Sequence, residues 1–235
     1  MRTKAGSTLV LDLTQFPSQQ LFWFGAWERK SARLMAEHLH PGGVALDVGA
    51  NIGIFTVLMA ERVGSTGRVH AFEPDPRNFA LLAENIERNS LGASASQVAV
   101  SDSSGTIGLA PEEDAAFTHL AGPMAPGGPA VLEVPMTSID EYAIEMERLD
   151  LVKVDVEGGE SAVLSGAGAT LRRLRPALLV ECAAHHLARN GITPVQLLLQ
   201  LEALGYRTYA TASMRQVTPS ERIPVNDNLW CIPQT

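Results

Sequence analysis

Residues 44–53 read Val44-Ala45-Leu46-Asp47-Val48-Gly49-Ala50-Asn51-Ile52-Gly53, and the fold class follows from this stretch and its surroundings. The first five are a short, mostly apolar run of the kind that makes a buried strand. Gly49 and Gly53 then let the backbone bend tightly and approach a ligand with no Cβ in the way. Phe55, Leu58, Met59 and Val63 follow on one helical face, until Gly64 and Gly67 end it.

Strands and helices keep alternating downstream. Residues 68–72 make a second strand, closed by Glu73-Pro74-Asp75-Pro76, and a helix over about 77–89 turns Leu81, Leu82 and Ile86 inward. A third strand over 96–100 ends at Ser101-Asp102. A fourth over 149–156 exits through Gly158 and Gly159 into a helix over about 160–174, and a fifth over 177–180 ends at Glu181. Thr193-Pro194 opens a helix to about Leu204, followed by strands at 206–210 and 228–232. This order predicts an α/β fold, an open and mostly parallel sheet with helices on both faces. Residues 1–40, with Phe22, Trp23, Phe24 and Trp27 ahead of Leu34, Met35 and Leu39, stand outside the alternation as an N-terminal helical cap on a domain of 41–235. Most of those aromatics should pack the cap onto the sheet, with one or two left to line a ligand. Residues 111–130, rich in Pro, Gly and Ala, read as a substrate loop.

Of 235 residues, 46% are hydrophobic and 19% charged, which excludes a disordered chain and allows one or two domains. Cys182 and Cys231 form no metal-type spacing and read as small buried hydrophobes. The net charge is −8, and twelve of the 26 acids lie between 111 and 160 beside only Arg148 and Lys153. With no basic stripe to displace counterions, nucleic acid is not an expected partner. No apolar run reaches the ~20 residues a bilayer crossing needs, and Asp12 and Gln15 interrupt the start, against a signal peptide. A soluble, cytoplasmic protein without a membrane partner is expected; a homo-oligomer stays open.

In open α/β sheets the ligand lies beyond the carboxyl ends of the strands. Glu73, twenty residues after Gly53, is placed to accept hydrogen bonds from both hydroxyls of a ribose; alternatively it offsets the dipole of the next helix. A dinucleotide fingerprint wants glycine at 49, 51 and 54, but Asn51 and Ile54 occupy two of those positions. Asp47 adds an anion beside the loop. These features suit S-adenosylmethionine, which carries an ammonium group and no phosphate. A nicotinamide-dependent oxidoreductase and a non-catalytic nucleoside-binding protein are the alternatives.

Six stretches in order, LDVGANIGIFTVLMA, HAFEPDPRNFALLAENIERN, VAVSDSSG, TSIDEY, DLVKVDVEGGE and LLVEC, resemble the FkbM family of S-adenosylmethionine-dependent methyltransferases over about residues 25–185. The combination of GxNxG with FEPDP and KVDVEGGE is what makes the resemblance specific. It implies the Rossmann-like class I methyltransferase fold, with a seven-stranded sheet whose seventh strand, here 228–232, is reversed. It also implies a function, O-methylation of a small hydroxylated acceptor such as a sugar or secondary metabolite. Position by position, it puts the cofactor's methionine end against Asp47, Gly49, Asn51 and Gly53, the ribose on Glu73 and the adenine beside Ser101 and Asp102. Asp102 reads equally well as a turn former.

Methyl transfer to a hydroxyl needs alignment and a proton acceptor. The candidates are Asp155, Glu157, Glu181, His185, His186 and His119. Lys153, Asp155 and Glu157 alternate, which puts all three on one face of a strand; Lys153 then pairs with one carboxylate, and Asp155 at the strand end is the first choice of base. The resemblance supports an acid at 181 followed by a histidine, but Cys182-Ala183-Ala184 makes the spacing longer than the family's, which leaves His185 and His186 both open. Asp155 and Glu181, with Glu157 and a histidine, are also candidate ligands for Mg²⁺.

Overall fold

The protein is described here from a computed structural model covering residues 1–111, 118–121, 132–220 and 226–234. Two short helices come first, α1 (Phe16–Phe24) and α2 (Arg29–His38). The alternation then runs β1 (Val44–Val48), α3 (Ile54–Val63), β2 (Arg68–Phe72), α4 (Pro76–Asn89) and β3 (Ala93–Ser96). A β-rich excursion follows, β4 (Ala99–Ser101), β5 (Gly105–Pro111), β6 (Thr118–Ala121) and β7 (Leu132–Ser138), closed by the single turn α5 (Ile139–Tyr142). The alternation resumes with β8 (Leu151–Val154), α6 (Glu160–Ser165), α7 (Gly168–Leu174), β9 (Ala177–Ala183) and α8 (Ala184–Arg189). The remaining elements are α9 (Pro194–Ala203), β10 (Tyr206–Ala210), β11 (Gln216–Val217) and β12 (Asn226–Pro233).

The central sheet has the order β11-β10-β12-β9-β8-β1-β2-β3. Its strands from β3 to β9 are parallel, and β12 is antiparallel to both β9 and β10. The strand over 228–232 is therefore reversed, as expected. The sheet has eight strands where seven were expected, because Gln216 and Val217 fold back onto the outer edge of β10.

Period-2 alternation sorts β1 between the two faces. Leu46 and Val48 join Val152, Val154, Leu178 and Val180 beneath the Val163, Leu171 and Leu197 side chains of the later helices. Ala45 joins Leu151, Leu179 and Trp230 beneath Met35 of α2, Leu39 just after it, and Phe55, Met59 and Val63 of α3. Asp47 and Lys153 share that second face, and their backbones are register partners across β1 and β8.

Three expectations need correction. The strand over 96–100 is two elements: β3 ends at Ser96, and β4 pairs with β7 in a separate sheet of order β4-β7-β5-β6. The small Ala-Ser side chains of β3 suit an exposed edge, whereas Ala99 and Val100 are buried between layers, against Leu109 and Val134 on one side and Phe72 and Ile139 on the other. The helix over 160–174 divides at Gly166, a poor helix former. The segment 111–130 is not purely loop, since residues 118–121 pair with β5; residues 112–117 and 122–130 lie outside the described residues.

Ahead of α1, the chain runs along α4, where Asn85 and Asn89 side chains satisfy the backbone of Val10 and Thr8. Asn85 also donates to the Ile52 carbonyl at 2.8 Å, which ties this strap to the glycine turn. Within the cap, Phe22, Trp23 and Phe24 are exposed and do not pack onto the sheet; Trp27 does, and it meets Phe16 edge-on at 5.8 Å. No helix among the described residues is long and apolar enough to cross a membrane. Leu46 is fully buried in the larger cluster, so Leu46→Ala should cost about 2–5 kcal/mol in chemical denaturation; a loss below 1 kcal/mol would contradict this packing.

Candidate active site

The carboxyl ends of β1, β2, β8 and β9 open into a cavity of about 760 Å³, roofed by Phe16, Trp27 and Glu28 of the cap. β1 delivers the glycine turn to its floor. A Cβ on Gly49 would lie 1.7 Å from the Asp155 carbonyl oxygen, so only glycine lets the two strand ends come this close. The Gly49 and Ala50 amides both donate to the Phe72 carbonyl, and Asn51 takes a left-handed backbone with φ of 51°.

Glu73 at the end of β2 holds this turn. One of its oxygens accepts from the Asn51 amide at 2.7 Å and the other from the Asp75 amide at 2.9 Å. Asp75, not Glu73, caps α4, taking the Arg77 and Asn78 amides. Glu73 is thus spared for the cavity, which it lines. Burial pushes its carboxyl up to about 7.

Lys153 is buried and central. Its ammonium lies 3.4 Å from Asp47 and 3.2 Å from Asp155, and it donates to the Gly49 carbonyl at 3.1 Å. Burial works against the charge on Lys153, but Asp155, Asp47 and Glu28 outweigh it and raise its pKa. Asp47 also accepts from Thr56 at 2.6 Å; it is fully buried behind the cavity, and burial raises its pKa.

Glu157, Glu181 and His186 form a second cluster. His186 Nδ1 lies 2.7 Å from Glu157 and 3.0 Å from Glu181. Glu157 is not on a strand face with Lys153 and Asp155, because β8 ends at Val154 and Glu157 turns through a left-handed backbone with φ of 56°. Glu160 holds this turn by accepting from the Val156 and Gly158 amides, each at 3.1 Å. A Cβ on Gly158 would come within 2.3 Å of the His186 carbonyl oxygen, so glycine there lets the turn meet α8. Burial would lower the His186 imidazole, but the hydrogen bonds and charges of Glu157 and Glu181 lift it to about 10. His186 is therefore protonated at neutral pH and donates, where the sequence suggested a neutral base. His185 lines the cavity, with its ring 3.9 Å from that of His186.

Gly49, Asn51, Glu73, Asp155, Glu157, Glu181, His185 and His186 therefore share one cavity. Gly53, Ser101 and Asp102 are not on its lining. Val98, Ala99 and Val100 take the place expected for Ser101 and Asp102, since the chain has left the central sheet by then. Asp102 instead accepts from Ser103. Among the described residues, Glu157, Glu181 and His186 are close enough to share an ion; Asp155, expected beside Glu181, pairs with Lys153. The side chain of His119 lies outside those described. Sequence reading missed Glu28, Asp227 and Asn228, although a run of Asn-Asp-Asn entering an otherwise apolar strand was a visible signal.

Residues 47–208 match the methyltransferase FkbM domain. The 31-O-demethyl-FK506 methyltransferase FkbM of Streptomyces tacrolimicus is 31% identical over 159 residues, 54% of this chain and 60% of that one. The hexuronic acid methyltransferase AglP of Haloferax volcanii is 33% identical over 140 residues, 59% of this chain and 56% of that one. The chain thus spans less than two thirds of the length of either relative. Among solved structures, a methyltransferase FkbM from Methylobacillus flagellatus superposes with a TM-score of 0.52 at 17% identity, over 86% of this chain and 50% of that one. An O-methyltransferase from Thermotoga maritima gives 0.52 at 13% identity, over 99% and 76%. These likenesses, with the strand order, make the fold the Rossmann-like class I methyltransferase fold.

Two outcomes are expected. Lys153→Met leaves Asp47 buried without its cation and should cost about 3–5 kcal/mol in urea unfolding; a neutral result would show that Asp47 is already protonated. Because the His186 pKa is raised in the folded protein, its stabilising contribution is full below about pH 6.5 and fades as the pH rises toward 10. His186→Ala should therefore lose about 1 kcal/mol more at pH 6 than at pH 10, allowing for solvent screening; equal losses would refute the charged imidazole.

Proposed function

The chain belongs to the FkbM methyltransferase family, and on that premise we propose that it is an S-adenosylmethionine-dependent O-methyltransferase acting on a small hydroxylated acceptor, a sugar or secondary metabolite. The observation that carries the reading is Glu73, a buried cavity carboxylate locked onto the glycine turn by the Asn51 amide. Both of its oxygens keep lone pairs for a ribose diol. The Gly49 to Asn51 turn and the Lys153–Asp155 pair adjoin it, which suits the methionine part, and Val98 to Val100 offer an apolar wall for adenine. The names of the two curated relatives point the same way.

The cofactor supplies an activated methyl group on a sulfonium. The chain's own residues bind, align and remove a proton. Asp155 is the proposed proton acceptor, held in place by Lys153 and a quarter exposed to the cavity. Glu157, Glu181 and protonated His186 then orient the acceptor hydroxyl, with His185 beside them. The Glu157, Glu181 and His186 atoms lie within 4.8 Å of one another, so the trio offers one nitrogen and two oxygen ligands. Both side chains already approach the imidazole Nδ1, and no step of this proposal runs through a metal. A soluble, cytoplasmic enzyme without a nucleic-acid partner is part of the same reading.

Calorimetric titration with S-adenosylmethionine and S-adenosylhomocysteine tests it. Binding of both is expected, with Glu73→Ala weakening each about tenfold or more. Asp155→Asn should lower kcat about 10²-fold or more at saturating cofactor, beyond any change in cofactor affinity. A folded protein that binds neither ligand would sink the reading; an unchanged kcat in Asp155→Asn would remove only the assigned base.

A further inference from the structure

The cavity carboxylates differ in what holds them. Glu73 has two backbone amides, Asp155 has Lys153, and Glu157 with Glu181 share His186. Asp227 accepts from the Thr211 hydroxyl at 2.7 Å and from the Ala212 amide at 3.1 Å. Glu28 stands apart. It comes from the cap, lines the cavity, and has as hydrogen-bond partners the neutral side chains of Asn228 and Ser31. Asn228 also donates to Ser31 at 3.0 Å, so the Glu28 carboxylate is seated by a built pair of donors.

Its surroundings are charge-rich and unbalanced. Asp47, Asp155 and Glu28 all act on one ammonium, that of Lys153, whose direct ion pairs go to the first two. Burial and the Asp155 charge push the Glu28 carboxyl up to about 7, and a cationic ligand group beside it would relieve that cost at low dielectric. The Glu28 backbone adopts φ of 41°, a left-handed conformation that disfavours a non-glycine residue by about 1–2 kcal/mol. Such a conformation persists where the surroundings over-determine it, often at ligand sites. Here it sits at the N-terminus of α2, between Trp27 on the cavity and Ser31 on Asn228.

Resting on the cofactor reading above, we propose that Glu28 is a binding residue for the methionine part of the cofactor, its carboxylate receiving the α-ammonium group opposite Asp155. The cap is then part of the cofactor site, tied to the strand ends by Glu28 and Ser31 on Asn228 and by Lys30 on the Ala212 carbonyl.

The test is calorimetric titration of wild type and Glu28→Gln with three ligands: S-adenosylmethionine, S-adenosylhomocysteine and 5′-methylthioadenosine, which lacks the amino-acid part. The first two should weaken by the same factor, about tenfold to a hundredfold, and the third should be unchanged. Asn228→Ala, which unseats Glu28, should weaken the same two by a smaller factor and serves if Glu28→Gln does not fold. Unchanged affinities in Glu28→Gln overturn the assignment. Loss for S-adenosylmethionine alone moves Glu28 to the sulfonium and overturns it too, and equal loss for all three makes its role structural. A wild type that binds none of them defeats the cofactor reading itself, a result distinct from the others.

Discussion

The pairing of Asp47 with Lys153 is the constraint on which the site depends. The two residues are register partners across β1 and β8, on the face otherwise filled by Phe55, Met59 and Leu151. Burying an ion pair there is costly, and a hydrophobic pair of like volume would often be at least as stable. Its value is in register. A slip of β8 by one residue would carry Lys153 to the opposite face, among Leu46 and Val48, and leave Asp47 buried without its cation. With the register fixed, Lys153 reaches the Gly49 carbonyl and Asp155, and the ends of two strands become the floor of a cavity.

Five of the acids around that floor fall into two groups, each organised by one cation. Lys153 gathers Asp47, Asp155 and Glu28; His186 gathers Glu157 and Glu181. Asp155 links them, since its charge also acts on Glu181, which burial raises to about 8. The acidity that composition shows between 111 and 160 is therefore partly a local device. Asp155, Glu157 and Glu160 all face the turn after β8, where they are matched by a lysine, an imidazole and two amides respectively.

What sequence made legible was whatever is written contiguously. The VALDVGANIG turn and Glu73 after its strand follow from local pattern and order, and the reversal of the strand over 228–232 follows from the family resemblance. Partnerships set by register were not legible: nothing near Asp47 announces that Lys153, over a hundred residues later, lies beside it. Glu28 carried no motif and lay among aromatics read as packing. Ser101 and Asp102 were misplaced because a strand was drawn straight through Gln97, where the chain in fact leaves one sheet for another. His186 was read from its ordinary neutral state, which two neighbouring carboxylates overturn.

The position of β12 has a consequence for how the molecule is made. It follows β10 in sequence yet lies between β9 and β10 in the sheet. A growing chain thus completes β9 and β10 before the strand that joins them exists, and both wait as open edges able to template association with another chain. Insertion of β12 also brings Asn228 to Glu28, a contact 200 residues apart, the kind of long closure that slows folding. Until β12 is inserted, Glu28 has no Asn228 to seat it, and the gap between β9 and β10 is an edge that another chain could fill.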